Sequence, residues 1–279
     1  MRIDVMKTYK LFINGQFPRS ESGRVYEITD SKGKFLANPA HGSRKDLRDS
    51  VVAARAAQPA WSKATAYNRG QILYRVAEIM EGRSEQFIAE LIAQEGLNPS
   101  AAKKQVEQAI DTWVWYAGWT DKISAISGST NPVAGPYYNF TIPEALGVVA
   151  VFADGKPSLL NLVNGLAPVI ASGNSAILLA HEKYPLSAIT LSEVLATSDL
   201  PAGVINIITG KTAELVSWTG SHMDIDGIDA SGLSSKQLRE VKELGSENLK
   251  RIHSFDSKRS PLRITSFMES KTVWHPVGI

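Results

Sequence analysis

The run GVVAVFADGKPSLL (Gly147 to Leu160) passes from an apolar stretch through a short turn into residues with helical spacing. Junctions of this kind are where open α/β sheets bind ligands, because helix N–H groups and loop side chains converge at the strand's carboxyl end. Asp154 and Lys156 stand in that turn, and Glu182 follows the next apolar run at an equivalent junction. These three either serve a bound group or are solvated loop charges. Downstream, HMDIDGID presents His222, Asp224, Asp226 and Asp229 at near-alternating spacing. Such oxygen-rich runs suit hard cations, but alternation also describes one solvent-facing edge of a strand. SGLSSK (Ser231 to Lys236) has the glycine and helix-initiating serines of an anion loop. It lacks the second glycine and terminal Lys-Ser/Thr of the nucleotide-triphosphate motif. The five histidines have neither His-x-x-x-His nor Glu-x-x-His spacing, which argues against a zinc centre. The chain has no cysteine. It therefore offers no disulfide, thiolate ligand or cysteine nucleophile of its own. No Gly-x-Ser-x-Gly elbow is present either. These residue types assemble no complete catalytic set.

A site at these junctions needs a scaffold, and the apolar spacing supplies one. Asn14-Gly15 between two apolar stretches is a strong two-residue hairpin signal. Ser43 with Asp46 three residues on predicts the start of a helix carrying Leu47, Val51 and Ala54. Helical spacing continues over 67–96, with a break at Arg83-Ser84 and Gly96 as the closing residue. Pro99 opens a third helix. After Ile123, SGSTNPVAGPYYNFTIPEALG mixes turn residues with β-formers and predicts a polar hairpin or arm. Strands at 147–152, 175–180, 203–208, 225–230 and 251–255 then alternate with helices near 157–171, 185–197, 212–219 and 234–249. That alternation predicts a parallel sheet covered on both faces. Near the end, Ile264 to Trp274 reads as a long strand whose Glu269 and Lys271 suit a solvated edge. Such a strand must pair with something, and another chain is one candidate.

The 279 residues can hold one large α/β domain or two small ones. Thirty basic against 28 acidic residues leave a net charge of +2, too balanced for a nucleic-acid or membrane footprint. The most continuous apolar run, ALGVVAVFA (Ala145 to Ala153), is well short of the ~18 residues of a membrane span. The opening, MRIDVMKTYKLF, lacks the apolar stretch of a signal peptide, so the expectation is a soluble, cytoplasmic protein.

Several stretches, in order, resemble the NAD-dependent aldehyde dehydrogenases: LFINGQF, AARAAQPAWS, NRGQILYRVAEIM, PEALGVVAVFA, NGLAPVIASGNSAILLAHEKYPLSA and DLPAGVINIITG. FMESKTVWHPVG is similar to the strand of that family's oligomerisation arm. The resemblance implies a Rossmann-like α/β fold with an N-terminal helical layer and a β arm. Residues 1–127 and 147–258 would form the NAD-binding-like domain, and 128–146 with 262–279 the arm. The departures from the family bear on function. Gly155 stands where the family's Pro-Trp-Asn-Phe-Pro loop carries its oxyanion-donating asparagine, and loss of such a donor costs roughly 10²–10³ in rate. Leu179 takes the place of the ribose-binding lysine, while Glu182 matches the glutamate that shares that task. In the phosphate turn, matched by Ala230 to Gln237, Leu233 replaces a serine and Gln237 a glycine. Phe255 stands at the general-base glutamate, and a phenyl ring takes no proton. Where the family continues into a catalytic domain bearing the cysteine nucleophile, this sequence passes from Arg259-Ser260-Pro261 almost directly to the C-terminal strand.

The resemblance thus implies a non-catalytic subunit that associates through the arm with itself or with a full-length aldehyde dehydrogenase, and that needs no cofactor. The alternatives are an NAD(P)-binding module, with Lys156, Glu182 and Gly232 as its contacts, or a residual NAD-dependent aldehyde dehydrogenase, active by unfamiliar chemistry or completed by another chain.

Overall fold

The computed structural model describes residues 6–278. The first five residues of the opening stretch, and Ile279 at the end of the arm segment, lie outside the described residues. The chain begins with a tight turn in which Asn14 and Gly15 both have positive φ and Ile13 pairs with Gln16, the geometry the Asn-Gly signal predicts. A two-stranded ribbon follows, β1 (Ile28–Thr29) and β2 (Phe35–Ala37). Next come four long helices, α1 (Arg44–Lys63), α2 (Ala66–Gly82), α3 (Ser84–Glu95) and α4 (Pro99–Ala117), and the short α5 (Ile123–Ser127).

Local chemistry sets these helix ends. The Ser43 hydroxyl accepts from the Lys45 and Asp46 N–H groups while Asp46 accepts from the Ser43 N–H, a reciprocal cap. Arg83 separates α2 from α3, Gly96 closes α3 in the left-handed conformation, and Pro99 is the first residue of α4.

The arm opens with β3 (Ser129–Asn131) and β4 (Tyr137–Ala145). The alternating unit is β5 (Val148–Phe152), α6 (Ser158–Ala171), β6 (Ser175–Leu179), α7 (Leu186–Leu195), β7 (Ile205–Ile208), α8 (Thr212–Ser221), β8 (Gly227–Asp229), α9 (Ser235–Gly245) and β9 (Arg251–His253). A single 3₁₀ turn, Ser246–Asn248, ends the helix expected to run to 249. The five strands form one parallel sheet in the order β7-β6-β5-β8-β9. Alternation along β5 sends Val149 and Val151 into one apolar layer with α2, α3, α4, α6 and α7. Val148, Ala150 and Phe152 face the other layer, with α1, α8 and α9. Both faces are covered, as the near-continuous apolar strands require. Phe12, beside the N-terminal turn, pairs antiparallel with Ile207 and occupies the outer edge of β7.

The tail departs from expectation. Pro261–Thr265 is a helical turn, α10, and the strand β10 runs from Met268 to Pro276. Ile264 and Phe267 are buried three residues apart, the spacing of one helical face rather than of a strand. β10 pairs antiparallel with β4 of the same chain, from Met268 opposite Ala145 to Pro276 opposite Tyr137. Phe267 anchors the pair: its carbonyl accepts from Leu146 N–H and the Asn174 amide, and its ring packs on Gly227. Among the described residues no helix is long and apolar enough to cross a membrane.

Candidate functional site

In a doubly covered parallel sheet, ligands settle where successive strands leave in opposite directions. Here β6 and β7 lie to one side of β5, and β8 and β9 to the other, so that point falls between the carboxyl ends of β5 and β8. It is lined by Val151, Phe152 and Asp154 from the β5 side, Gly165 from α6, and Asp229 and Ser231 from the β8 side. Phe255 and Arg263 reach into the same space, leaving about 20 Å³, room for roughly one water molecule.

Arg263 is 4% exposed and Asp229 2%, with guanidinium and carboxylate 3.6 Å apart. The Asp229 carboxylate also accepts from the Ser231 N–H at 3.0 Å and from its hydroxyl. Burial holds the Asp229 carboxyl above the usual carboxylate range, outweighing the opposing pull of Ser231 and Arg263.

Helix N-termini at the sheet's carboxyl edge are the natural anion donors of this architecture. Here they are engaged by the chain's own side chains. At α6, Ser158 N–H donates to the buried Glu95 carboxylate at 2.9 Å and Leu159 N–H to the Gln105 carbonyl at 2.9 Å. At α7, Leu186 N–H donates to Gln94 at 3.2 Å. At α8, Thr212 N–H donates to Glu182 at 3.3 Å. At α9, Ser234 and Gln237 form a reciprocal cap of their own. The edge thus carries a carboxylate where an anionic ligand would sit, at α6 from Glu95 and at α8 from Glu182.

The residues singled out in the sequence are dispersed over this edge. Asp154 is exposed and accepts from its neighbour's Gly155 N–H at 2.7 Å. Lys156 donates to the Glu95 carbonyl at 2.6 Å and lies over the Tyr184 ring. Lys156 and Glu182 share a cleft of about 390 Å³ with Tyr26, Asp30, Gln94, Tyr184 and Lys211. Gly232 follows the crevice-lining Ser231, and a Cβ on it would stand 2.3 Å from the Ala153 carbonyl oxygen; the absence of a side chain lets the turn after β8 pack against the end of β5. Leu233 packs among apolar residues on the α8–α9 side of the sheet.

The strand expected over 225–230 is limited to β8, and the four residues of HMDIDGID do not share a face. His222 ends α8 and accepts from Asp224 N–H at 3.2 Å. Asp226 bonds Arg55 and Val148 N–H, each at 2.7 Å. Asp229 lies at the crevice. Among the described residues, no three His, Cys, Asp or Glu side chains gather into a metal site.

The residues that define the mouth, Glu95, Gln105 and Arg263, escaped the sequence reading because their partners lie 63, 54 and 99 positions away. A local signal existed for Arg263. Pro168 inside α6 has no N–H for the Asn164 carbonyl, and that orphan is where Arg263 donates, at 3.0 Å.

Residues 17–265 match the aldehyde dehydrogenase family. The chain is 32% identical over 266 residues to the mouse mitochondrial 10-formyltetrahydrofolate dehydrogenase, covering 92% of this chain and 28% of that protein. It is 33% identical to the mitochondrial benzaldehyde dehydrogenase of Antirrhinum majus, with 87% and 46% covered, and 31% identical to human retinal dehydrogenase 2, with 88% and 48% covered. The chain thus spans less than half the length of these relatives. Among solved structures, the NAD+ complex of an aldehyde dehydrogenase from Bacillus cereus superposes with a TM-score of 0.83 at 25% identity, over 89% of this chain and 50% of that one. With sequence and fold in agreement over most of its length, the chain belongs to the aldehyde dehydrogenase family.

Proposed function

We propose that this chain is a non-catalytic aldehyde-dehydrogenase-like subunit that acts by association through the sheet β3–β4–β10. Its partner is a second copy of itself or a full-length aldehyde dehydrogenase. One observation carries the reading: β10 spends one backbone edge on β4, and among the described residues no strand pairs with its other edge. That strand carries exposed Trp274, whose ring meets Tyr137 of β4, with exposed Val277 just beyond its end. Unpaired edges flanked by apolar side chains are templates for strand addition. The chemistry lends support from the other direction. Glycine, leucine and phenylalanine stand at Gly155, Leu233 and Phe255, and none has a side chain that can donate or accept a proton.

The residues at the sheet's mouth do not fit a dinucleotide. The helix N-termini that would meet a pyrophosphate are occupied by Glu95, Glu182 and the Ser234–Gln237 cap, and Leu233 offers it no hydrogen bond. In this reading the chain turns over no aldehyde alone. Co-expression with a full-length aldehyde dehydrogenase tests it. The expected result is co-purification, with a change in the partner's stability or turnover. Unchanged size, stability and turnover of that enzyme, together with a monomeric chain, would overturn it.

A further inference from the structure

We infer that residues Ser254–Arg263 form a strap latched over the switch-point crevice by Arg263, so that Phe255 and Arg263 take the place a ligand would occupy and access requires release of the latch. This stands independently of the association proposed above.

The strap leaves β9 and crosses the sheet's mouth with an exposed outer side, Asp256 to Arg259, while Phe255 and Arg263 turn inward. It is tied along its length. Phe255 N–H donates to the Ser231 hydroxyl at 2.9 Å, and the Ser257 carbonyl accepts from the Asn164 amide at 2.8 Å. Arg259 pairs with Asp111 on α4.

Arg263 holds both ends together. Its guanidinium donates to the carbonyls of Asp256 and Lys258 in the strap and to that of Asn164 in α6, faces Asp229, and lies 4.7 Å from the centroid of the Phe255 ring. A planar fork with five donors can make these contacts at once; a lysine cannot. Removing it strands a buried carboxylate and an orphaned helix carbonyl beneath the strap. The strap is therefore the part of the mouth that local opening would release first.

The cysteine-free sequence allows a direct test. Val151→Cys places a single thiol on the crevice wall at a position 1% exposed, and Ala176→Cys places one in β6 at a position 0% exposed, away from the lining. The rate of labelling by a soluble disulfide reagent then reports crevice opening in the first and opening of the sheet in the second. With the latch intact, both label slowly. Adding Arg263→Ala is expected to speed the Val151→Cys reaction by about a hundredfold or more, as befits loss of one partner from a buried ion pair, with a smaller change at Ala176→Cys. Arg263→Lys, which keeps the charge without the fork, is expected to fall between and serves if the alanine variant does not fold. Fast labelling of Val151→Cys with Arg263 present, or equal acceleration at the two positions, would overturn the inference.

Discussion

At the scale of single residues, Gly232, a position matched to a phosphate turn, is required by packing. The obstacle to any side chain there is the backbone of Ala153, which cannot swing aside. Gly232→Ala is expected to cost about 1–3 kcal/mol of stability, read from denaturation midpoints, and a cost near zero would contradict that packing. His181 gives a pH-dependent counterpart. Burial holds its pKa below the ordinary 6.5, and the neutral ring accepts from Lys183 N–H at 3.2 Å and stacks on Tyr184. Because the folded pKa lies below the unfolded one, this contribution is complete above pH 6.5 and is lost as pH falls through the folded value. His181→Gln should therefore flatten the stability profile on the acid side, as measured by unfolding at a series of pH values. The identity of Gly155, Leu233 and Phe255 at family positions is legible in the sequence. Their surroundings are not, because the atoms packed around them come from distant segments.

At the scale of elements, the caps decide what the sheet's mouth can do. Glu95→Ala leaves Ser158 N–H and its hydroxyl without their buried acceptor and is expected to destabilise by about 1–3 kcal/mol, with Glu95→Gln milder because one acceptor survives. Equal costs for the two variants would show that the cap is not what Glu95 contributes. Element boundaries set by neighbours in sequence were legible: Ser43 with Asp46, the Arg83 break, Gly96 and Pro99 each act within a few residues. The tail was not, because apolar residues at Ile264 and Phe267 satisfy a strand's hydrophobicity as well as a helical turn's spacing, and only burial against α6 and β8 separates the two. The caps of α6, α7 and α8 were invisible for a related reason: a polar side chain carries no mark of the helix it will close.

At the scale of the whole molecule, the crevice between β5 and β8 of the parallel sheet is filled by Phe255 and Arg263, while in the small sheet no strand among the described residues pairs with the outer edge of β10. The first half predicts that millimolar NAD leaves thermal unfolding unchanged, since a ligand at 100 times its dissociation constant would add about 2.7 kcal/mol and be plainly visible. The second half concerns assembly. The order of strands and helices around the parallel sheet follows from the apolar spacing, whereas β10 and β4, more than 120 residues apart, were joined in one arm only through the family resemblance, and their register needed the fold itself. The most direct measurement is the mass in solution of the purified chain, alone and mixed with a full-length aldehyde dehydrogenase, beside a Trp274→Glu variant of the open edge. Association through the arm predicts a species heavier than the 30.3 kDa chain in at least one of the two samples, reduced to free chain by the substitution. A mass of 30.3 kDa for the chain in both samples and at every concentration would contradict it.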